Sequence, residues 1–524
     1  MEKFRFWDLC RTIIPAMSGP MATLAAQLAH NHGLLLHRES RMAEAEPHYR
    51  RAIALDPEFI EARINLGLVL LRQGRLDEAI ASHREALRLD PENADAHNNL
   101  GMAHYAQGHI AEAENSFRAA LRLSSAHPCA TLNLGATRQV LNHVDEAEGL
   151  FRRALALGAD EARVKSNLAL TLLEQVRPED AEHCCREVLA IQPDCKEARA
   201  NLALALLTTG RLEEGWQEYE SRWAVEGMAA PASVLPEPRW TGQDLQGRTI
   251  LLYAEQGFGD TLQFCRYVPM VAAAGGRIVL VVPRALRRLL TTLDGVATLL
   301  SEEDDPLPSF DYYCPLLSLP FAFGTTMATI PAQTPYLRAE QSAWADFLAG
   351  LPGLKVGLVW AGKSRTAQPH AVAIDKRRSM RLADMAPLLS VPGCSFVSLQ
   401  LGPPAAQMQT LPPSAVLHDV SGRLQDWSDT AALIAGLDLV IAVDTAVAHL
   451  AGALDKPVWM LNRFDSCWRW FLNRDDTPWY PSMLQFRQTS RGDWAGVIER
   501  VKAALELVLS HVGAQASLRD QAPQ

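Results

Sequence analysis

The sequence lacks the features that mark secreted, membrane-spanning and nucleic-acid-binding proteins. Its nine cysteines are scattered, without a CxxC pair or a disulfide framework, which suits a reducing cytoplasm. No run of about 18 apolar residues occurs, so we expect no membrane span. The net charge of −10 provides no basic stripe of the kind that binds nucleic acid. No cluster of residues in the sequence has the spacing of metal ligands. Asp304-Asp305 and Asp475-Asp476 are predicted to be surface-loop carboxylates.

What is present is the composition of an ordinary soluble protein with two or three domains. The chain has 524 residues, of which 48% are hydrophobic and 21% are charged. Eleven of the fifteen histidines precede position 190, and eleven of the twelve tryptophans follow position 215. This shift predicts a domain boundary at the proline-bearing connector 229–238. We also predict a flexible leader over 1–25 and a disordered tail over 513–524.

An asparagine recurs at a constant step through the first half of the chain. It stands at Asn31, Asn65, Asn99, Asn133, Asn167 and Asn201, always 34 residues apart. A glycine or alanine follows two positions after each asparagine, and a second small residue follows twelve positions later. A 34-residue step is the period of the tetratricopeptide repeat, in which each unit is a pair of antiparallel helices. The sequence therefore predicts an α-solenoid of six repeats over 26–229.

The periodicity changes after the connector. Short apolar runs, read as buried strands, cover 249–254, 277–282, 356–362, 395–399, 437–443 and 458–461. The first run leads through a glycine turn into a predicted helix over 261–274 and then into the second run, which is the unit of a parallel sheet. The pattern restarts after Pro352-Gly353. We therefore predict two Rossmann-like α/β lobes, over 240–350 and 354–510, with a cleft between them.

The glycine turn of the first lobe carries the first candidate residues. Gly257 and Gly259 permit a sharp turn or a close approach of the backbone to a ligand, and the following helix start favours an anion. Leu262 takes the place of the third glycine of a dinucleotide fingerprint, so that site is not predicted. Two alternatives remain for Asp260. It is either a cap of the helix or a general base that faces the cleft.

Two segments of the second lobe could hold a phosphorylated ligand. Lys363 and the run from Lys376 to Ser379 follow a predicted strand, where cations suit a diphosphate; the alternative is a solvated basic loop. Asp444 and Thr445 end another strand and cap a helix whose free N–H groups can bind phosphate oxygens. His449 lies one turn into that helix, and it is either a ligand contact or a buried core residue.

Taken together, these segments resemble a known family. The stretch from Trp240 to Arg500 resembles the heptosyltransferase-related branch of GT-B glycosyltransferases. The resemblance is carried by the segments 255–261, 266–267, 359–362, 378–379, 398–400, 444–452, 468–470 and 478–481. The whole chain is similar to bacterial proteins that fuse tetratricopeptide repeats to such a transferase, including flagellin glycosyltransferases. Its layout is also similar to that of O-GlcNAc transferases, which carry a different catalytic branch.

The resemblance implies a fold and a set of roles. It implies a GT-B fold and an inverting, metal-independent transfer in which Asp260 is the base. It places Asp444, Thr445 and His449 at the phosphate side of a nucleotide-sugar donor. The donor-binding set is Gly257, Gly259, Lys363, Arg378, Ser379, Asp444, Thr445 and His449. Arg378, with Lys363 or Lys376, would neutralise the leaving nucleotide, although members of this branch often have Asn where this chain has Lys363. No cofactor is implied beyond the donor substrate.

The repeats are expected to choose the acceptor. By similarity to O-GlcNAc transferases, a row of amides would grip a polypeptide in the repeat groove: Asn65, Asn99, Asn133, Asn167 and Asn201. The alternative is that these side chains bond neighbouring helices. The function expected is therefore transfer of a sugar to a protein hydroxyl, with flagellin as one candidate acceptor. Two rivals are a transferase that acts on a lipid-linked or surface glycan and a non-catalytic repeat scaffold.

Overall fold

A helical repeat region opens the part of the chain that the structure describes. The computed structural model describes residues 20–224, 235, 237–303, 306–340, 344–363 and 369–520. Twelve helices follow one another in the first of these ranges. They are α1 (Pro20–Arg38), α2 (Met42–Leu55), α3 (Ile60–Arg72), α4 (Leu76–Leu89), α5 (Ala94–Ala106), α6 (Ile110–Leu123), α7 (Pro128–Val140), α8 (Val144–Ala156), α9 (Glu161–Glu174), α10 (Pro178–Ile191), α11 (Lys196–Thr208) and α12 (Leu212–Tyr219). They make the six predicted pairs.

The small residue after each asparagine gives room for a side chain of the second helix. At Gly101 an added Cβ would lie 2.6 Å from the ring of Phe117, sixteen residues further along. The same clash would occur between Gly33 and Tyr49, Gly67 and His83, and Gly135 and Phe151. A one-carbon side chain would therefore separate the two helices. The recurrence of glycine is thus a packing requirement of the repeat.

The turn between the two helices of each repeat requires a left-handed residue. Positive φ angles of 60° to 82° occur at Ser40, Gly74, Gly108, Asn142, Val176 and Gly210, again 34 residues apart. Glycine and asparagine adopt this conformation with little cost, whereas a β-branched residue such as Val176 is an outlier there.

Both predicted ends of the chain differ from the structure. Helix α1 begins at Pro20, so residues 20–25 of the predicted leader are helical, because proline suits a helix start and helix-forming residues follow it. The final helix, Trp494–Asp520, includes residues 513–520 of the predicted disordered tail. Over 494–511, where the burial of its side chains is described, the buried residues lie before position 506, and extending an existing helix costs less than starting one. Residues 1–19, 225–234, 236, 304–305 and 521–524 lie outside the described residues, and with them most of the predicted connector.

The chain divides into two compact units. One comprises Met1–Thr171 with Arg365–Ala373, and the other comprises Leu172–Ser364 with Ile374–Gln524. The second unit therefore contains the last repeats together with both α/β lobes. None of the described helices combines the length and the apolar character needed to cross a membrane.

The first lobe is built on a four-stranded parallel sheet. Its elements are β1 (Thr249–Tyr253), α13 (Phe258–Phe264), α14 (Val268–Ala273), β2 (Arg277–Val282), α15 (Arg284–Leu290), β3 (Val296–Ser301), β4 (Tyr312–Pro315) and α16 (Leu319–Ala322). The strand order is β3-β2-β1-β4, and all pairs are parallel. The predicted single helix over 261–274 is instead α13 and α14, joined by a 3₁₀ segment ahead of Pro269.

The second lobe is built on a six-stranded parallel sheet. Its elements are α17 (Ala345–Ala349), β5 (Leu354–Val359), α18 (Pro369–Arg378), α19 (Ala386–Leu389), β6 (Cys394–Ser398), β7 (His418–Asp419), α20 (Trp427–Ala435), β8 (Leu439–Val443), α21 (Ala446–Ala453), β9 (Val458–Asn462), β10 (Met483–Arg487) and α22 (Trp494–Asp520). The strand order is β10-β9-β8-β5-β6-β7. Two parallel α/β lobes of this kind are consistent with the expected GT-B-like fold.

Each sheet has a point where the strand order reverses. In the first lobe the chain goes from β1 to β2 on one side, while β4 pairs on the other side. In the second lobe β6 and β8 flank β5 in the same way. Ligands of open α/β sheets bind beyond the carboxyl ends of the strands at such points. The turn after β1 and the segments after β5 and β8 are therefore where a site is expected.

The last repeat packs onto both lobes within the second unit. Trp216 of α12 is buried, and its ring lies 5.2 Å from that of Trp468, 6.3 Å from Phe264 and 6.4 Å from Trp479. Arg222, which follows α12, makes a two-point ion pair with Glu255 beyond β1, at 2.7 and 3.1 Å. The aromatic segment 215–223 therefore docks onto both lobes.

Candidate active site

Asp260 occupies the first turn of α13 and uses both carboxylate oxygens. Its Oδ2 accepts a hydrogen bond from the backbone N–H of Gly257 at 2.9 Å, which caps the helix. Its Oδ1 accepts from Nη2 of Arg469, a residue of the second lobe. The side chain retains about a fifth of its exposure. The capping alternative is thus realised, and the same carboxylate is also joined to a cation across the cleft.

Gly259 lets two helix starts approach each other. A Cβ at this position would lie 3.0 Å from Cδ2 of His449 and 3.5 Å from Cα of Ala446. Helix α13 of the first lobe therefore contacts α21 of the second lobe at their N-terminal ends. The glycine is required for this contact, which brings the turn that carries Asp260 next to the predicted phosphate side.

His449 is a buried, neutral histidine with two aromatic neighbours. Its Nδ1 lies 2.9 Å from the hydroxyl of Tyr480, and its ring stacks on Trp470 at 5.2 Å. Burial lowers the pKa of His449 to about 4, and Asp444, Arg469 and Asp260 are the charged groups that act on it at short range. The imidazole is therefore uncharged at pH 7, so it can donate and accept hydrogen bonds but cannot form an ion pair.

The start of α21 contains a buried hydroxyl with no partner. Among the described residues, neither Thr445 Oγ1 nor Arg378 Nε has a hydrogen-bond partner, although both atoms are buried. Arg378 reaches this place by donating from Nη1 to the backbone oxygen of Asp444 at 3.3 Å and by pairing with Asp375 at 2.8 Å. Buried polar atoms are nearly always satisfied in native proteins. A hydroxyl, a guanidinium N–H and a helix start together suit an anionic ligand.

The rest of the basic run has other roles. Ser379 accepts a hydrogen bond from the N–H of Gly362 at 3.1 Å, so it shapes the loop after β5. Arg377 pairs with Glu174 at 2.6 Å and with Asp465 at 3.1 Å, which makes it a structural tie. Lys363 is exposed, and residues 364–368, which follow it, lie outside the described residues. Arg378 is the member of the run that the structure joins to Asp444.

Three further residues of the site, Gln400, Arg469 and Tyr480, lie in segments that carry the family resemblance but have no role predicted from the sequence. Gln400 binds the loop after β5, because its Oε1 accepts from Trp360 N and Ala361 N at 3.2 and 2.9 Å. Tyr480 contacts His449, and Arg469 contacts Asp260 across 209 positions of sequence. Their segments were noticed as motifs. Only the tertiary structure tells which partner each residue takes.

Two members of the amide row, Asn65 and Asn133, make hydrogen bonds between helices. Nδ2 of Asn65 lies 2.9 Å from Nε2 of His30, and Asn133 donates to Asn98 at 2.9 Å, both across to the preceding repeat. Asn99, Asn133 and Asn201 expose 7%, 6% and 9% of their surface. Asn167 is half-buried. These contacts favour the alternative in which the amides tie neighbouring helices together, and acceptor binding by this row stays a prediction.

Comparisons with known families agree with both halves. Tetratricopeptide-repeat models match residues 36–82, 69–108, 94–127, 132–193 and 166–231. The model of glycosyltransferase family 9 (heptosyltransferase) matches residues 396–463, which include Asp444, Thr445 and His449. The chain therefore matches repeat models in its first half and part of a family 9 glycosyltransferase model in its second half, and this combination supports a glycosyltransferase. No group of three or more His, Cys, Asp or Glu side chains in the described ranges is placed to hold a metal ion.

Individual relatives match parts of the chain. Protein FlbA of Caulobacter vibrioides is 30% identical over an alignment of 324 residues that covers 56% of this chain. The chain spans about half of that protein's length, 52%. A thermophilic TPR protein of Thermus thermophilus is 25% identical over 35% of this chain and all of its own, with a TM-score of 0.32. PilF of Pseudomonas aeruginosa is 22% identical over 39% of this chain and 98% of its own, with a TM-score of 0.30.

Proposed function

We propose that the protein transfers a sugar from a nucleotide-sugar to a hydroxyl of a protein acceptor that the repeats select. The transfer inverts the anomeric configuration and needs no metal ion. The cysteines are scattered through the sequence without a CxxC pair, which supports a cytoplasmic location. The observation that carries the proposal is the convergence of Asp260, His449, Thr445 and Arg378 at the switch points of the two sheets.

The donor's diphosphate would lie at the start of α21. Thr445 Oγ1 and Arg378 Nε have unused hydrogen-bonding capacity there. The first N–H groups of a helix generally lack a partner within it, and of those in this turn Ala448 N–H donates to the Thr445 carbonyl at 3.0 Å. These groups would bind the phosphate oxygens and stabilise the charge that develops as the nucleotide leaves. His449, being neutral, would add a hydrogen bond without adding charge.

Asp260 would accept the proton of the acceptor hydroxyl. As that proton moves to the carboxylate, the acceptor oxygen attacks the anomeric carbon from the face opposite the phosphate. The bond between this carbon and the phosphate oxygen breaks, and the nucleoside diphosphate departs with the electron pair. The base and the donor side come from different lobes, so the acceptor hydroxyl would enter between them.

A saccharide acceptor is the second candidate. The description of the matching family is heptosyltransferase, which points to transfer onto a glycan. The internal bonding of Asn65 and Asn133 also weakens the case for an amide row that grips a polypeptide. Under this alternative the same crevice and the same base act on a lipid-linked or surface glycan, and the repeats serve only assembly.

Two assays test the proposal. Purified protein is incubated with a panel of UDP-, GDP-, ADP- and dTDP-linked sugars, and nucleotide release is measured. Each donor that reacts is then offered to flagellin and to deacylated lipopolysaccharide, and both products are analysed by mass spectrometry. A protein adduct supports the main proposal and a glycan adduct supports the second candidate. Release of no nucleotide from any donor, with or without acceptors, would refute both.

The amide row is tested separately. Asn99, Asn133 and Asn167 are replaced together by Ala, with Asn142→Gly as a control outside the row, since Asn142 lies at a left-handed turn where Gly fits. If the row binds the acceptor, the triple variant has a raised KM for protein and unchanged donor hydrolysis. A lowered unfolding midpoint with an unchanged KM would assign the amides to the repeat architecture alone.

A further inference from the structure

Arg469 is the residue through which the second lobe reaches the carboxylate of Asp260. It follows β9 within a short 3₁₀ segment, Trp468–Trp470, and its guanidinium makes three contacts. Nη2 donates to Asp260 Oδ1, Nε donates to Gln263 Oε1 at 2.7 Å, and Nη1 lies 3.2 Å from Cys467 Sγ. Asp260 and Gln263 are three positions apart on α13, so one face of that helix presents both acceptors to the planar fork.

The surroundings fix the orientation of the guanidinium. The side chain retains about a tenth of its exposure and lies over the ring of Trp468 at 4.2 Å, with Phe264 at 5.7 Å. Burying a charged pair costs desolvation free energy that apolar packing would avoid. This cost is accounted for if Arg469 orients the Asp260 carboxylate.

The same short segment also contacts His449, which is predicted to bind the donor. Trp470, next to Arg469, stacks on His449 at 5.2 Å. Phe471 then adopts φ 52° and ψ −179°, a region that residues with a Cβ rarely occupy. Arg487 donates to its carbonyl at 2.6 Å, and Gln485 donates to the carbonyl of Trp470 at 3.0 Å. Backbone strain of this kind persists where the surroundings over-determine it, and it concentrates at functional sites.

We propose that Arg469 is a positioning residue of the transfer. It holds the Asp260 carboxylate from the opposite lobe, so the base is aligned only when the two lobes contact each other as they do in this structure. This inference rests on the proposed function. Arg469 keeps its protons throughout: the acceptor proton goes to Asp260, whose Oδ1 has a second lone pair beside the one that Arg469 occupies.

The test compares Arg469→Met and Arg469→Lys with Arg288→Met. Arg288 of α15 also links the lobes, by ion pairs to Asp426 at 3.1 Å and Asp429 at 2.6 Å, but it does not contact Asp260. The assay uses the donor from the panel that the wild type turns over. Arg469→Met should lower kcat on the order of 10²-fold, the cost of misplacing a catalytic group by about 1 Å, with the donor KM changed by less than about twofold. Arg469→Lys should lower kcat by a smaller factor, and Arg288→Met should keep the wild-type kcat.

A double-mutant cycle separates positioning from folding. In an Asp260→Asn background, Arg469→Met should lower the residual rate no further, because the group on which it acts is already lost. The same fold-loss in both backgrounds, or a wild-type kcat in Arg469→Met, would overturn the inference. If Arg469→Met does not fold, the same double-mutant cycle is measured with Arg469→Lys. A wild type that turns over no donor refutes the proposed function, whereas an active wild type with unaffected variants refutes only the role of Arg469.

Discussion

The repeats and the α/β lobes bury different kinds of polar residue. From residue 20 to residue 171, every buried polar side chain is an amide, a hydroxyl or a histidine. Burial lowers the pKa of the three buried histidines, His30, His83 and His104, so they too are neutral at pH 7. Buried charges occur after residue 171: Glu174 at the end of α9, and, in the lobes and the segment that joins them, Arg222, Arg266, Asp375, Arg463, Asp465 and Arg469.

Buried charges indicate where functional residues are to be expected. A neutral buried group needs one or two hydrogen bonds, and leaving it without them costs less free energy than leaving a buried charge unpaired. A buried charge needs a partner of opposite sign or several hydrogen bonds, and it is costly without them. Of the buried charges, Arg469 contacts the predicted base, and Arg222 contacts Glu255, five residues before that base. The predictions below test this contrast.

The largest change in stability is expected on breaking the Arg222–Glu255 pair. Arg222→Met leaves Glu255 buried beside Glu220 without its cation, which should cost about 3–5 kcal/mol of unfolding free energy. The matched change in the repeats, Arg118→Met, breaks the exposed Arg118–Glu114 pair and should cost less than about 1 kcal/mol. Urea titrations followed by tryptophan fluorescence for the first variant and by circular dichroism for the second measure both. Equal costs would contradict the contrast.

A smaller effect is expected at His83. Both ring nitrogens are buried without a partner among the described residues, while the equivalent positions of the next two repeats carry Phe117 and Phe151. His83→Phe should therefore raise the unfolding free energy by about 1–3 kcal/mol, because it removes an unsatisfied buried group. A destabilised variant would show that the imidazole has a partner in solution.

The same residue predicts a pH dependence. The pKa of His83 in the fold is about 4, below its ordinary value of 6.5. The fold needs the neutral form, so its stability is fully present above pH 6.5 and is lost as the pH falls from 6.5 to 4. The unfolding free energies of wild type and His83→Phe should thus diverge over this range, by up to about 3 kcal/mol. Curves that remain parallel would contradict the burial of a neutral ring.

The smallest effect concerns the turns of the repeats. Val176 adopts φ 61°, where Gly74 adopts φ 75° in an equivalent turn. Val176→Gly should stabilise the protein by about 1 kcal/mol, since a Cβ is disfavoured in the left-handed region. The reverse change, Gly74→Val, places a side chain in open space and should cost about 1–2 kcal/mol through the backbone alone. A neutral outcome for both variants would show that the turns are not under this constraint.

The regular parts of the fold could be predicted from the sequence, since each follows from local periodicity. The 34-residue step identified the repeats, and apolar runs identified β1, β2, β5, β6, β8 and β9. Strands β3, β4, β7 and β10 were not predicted. The two-residue strand β7 is too short to show a pattern, and the exposed end of β3 weakens its apolar run.

The site was predictable only in part, because a contact between distant segments leaves no local signal. The residue types after β1 and β8 pointed to Asp260, Asp444, Thr445 and His449. Their sequence positions could not show that Arg469 occupies one oxygen of Asp260. The recurrence of asparagine was likewise visible, but its cause was not, because an amide that binds a neighbouring helix and one that binds a peptide recur with the same period.

The central claim is that Asp260 acts as the base of sugar transfer in the crevice between the lobes. The most direct test is intact-mass analysis of an acceptor incubated with a reactive nucleotide-sugar and either wild type or Asp260→Asn. Asparagine retains an oxygen for the Gly257 cap but cannot take the proton, so the variant should bind the donor while adding sugar on the order of 10²–10⁴-fold more slowly. Modification of the acceptor at the wild-type rate by Asp260→Asn would contradict the account.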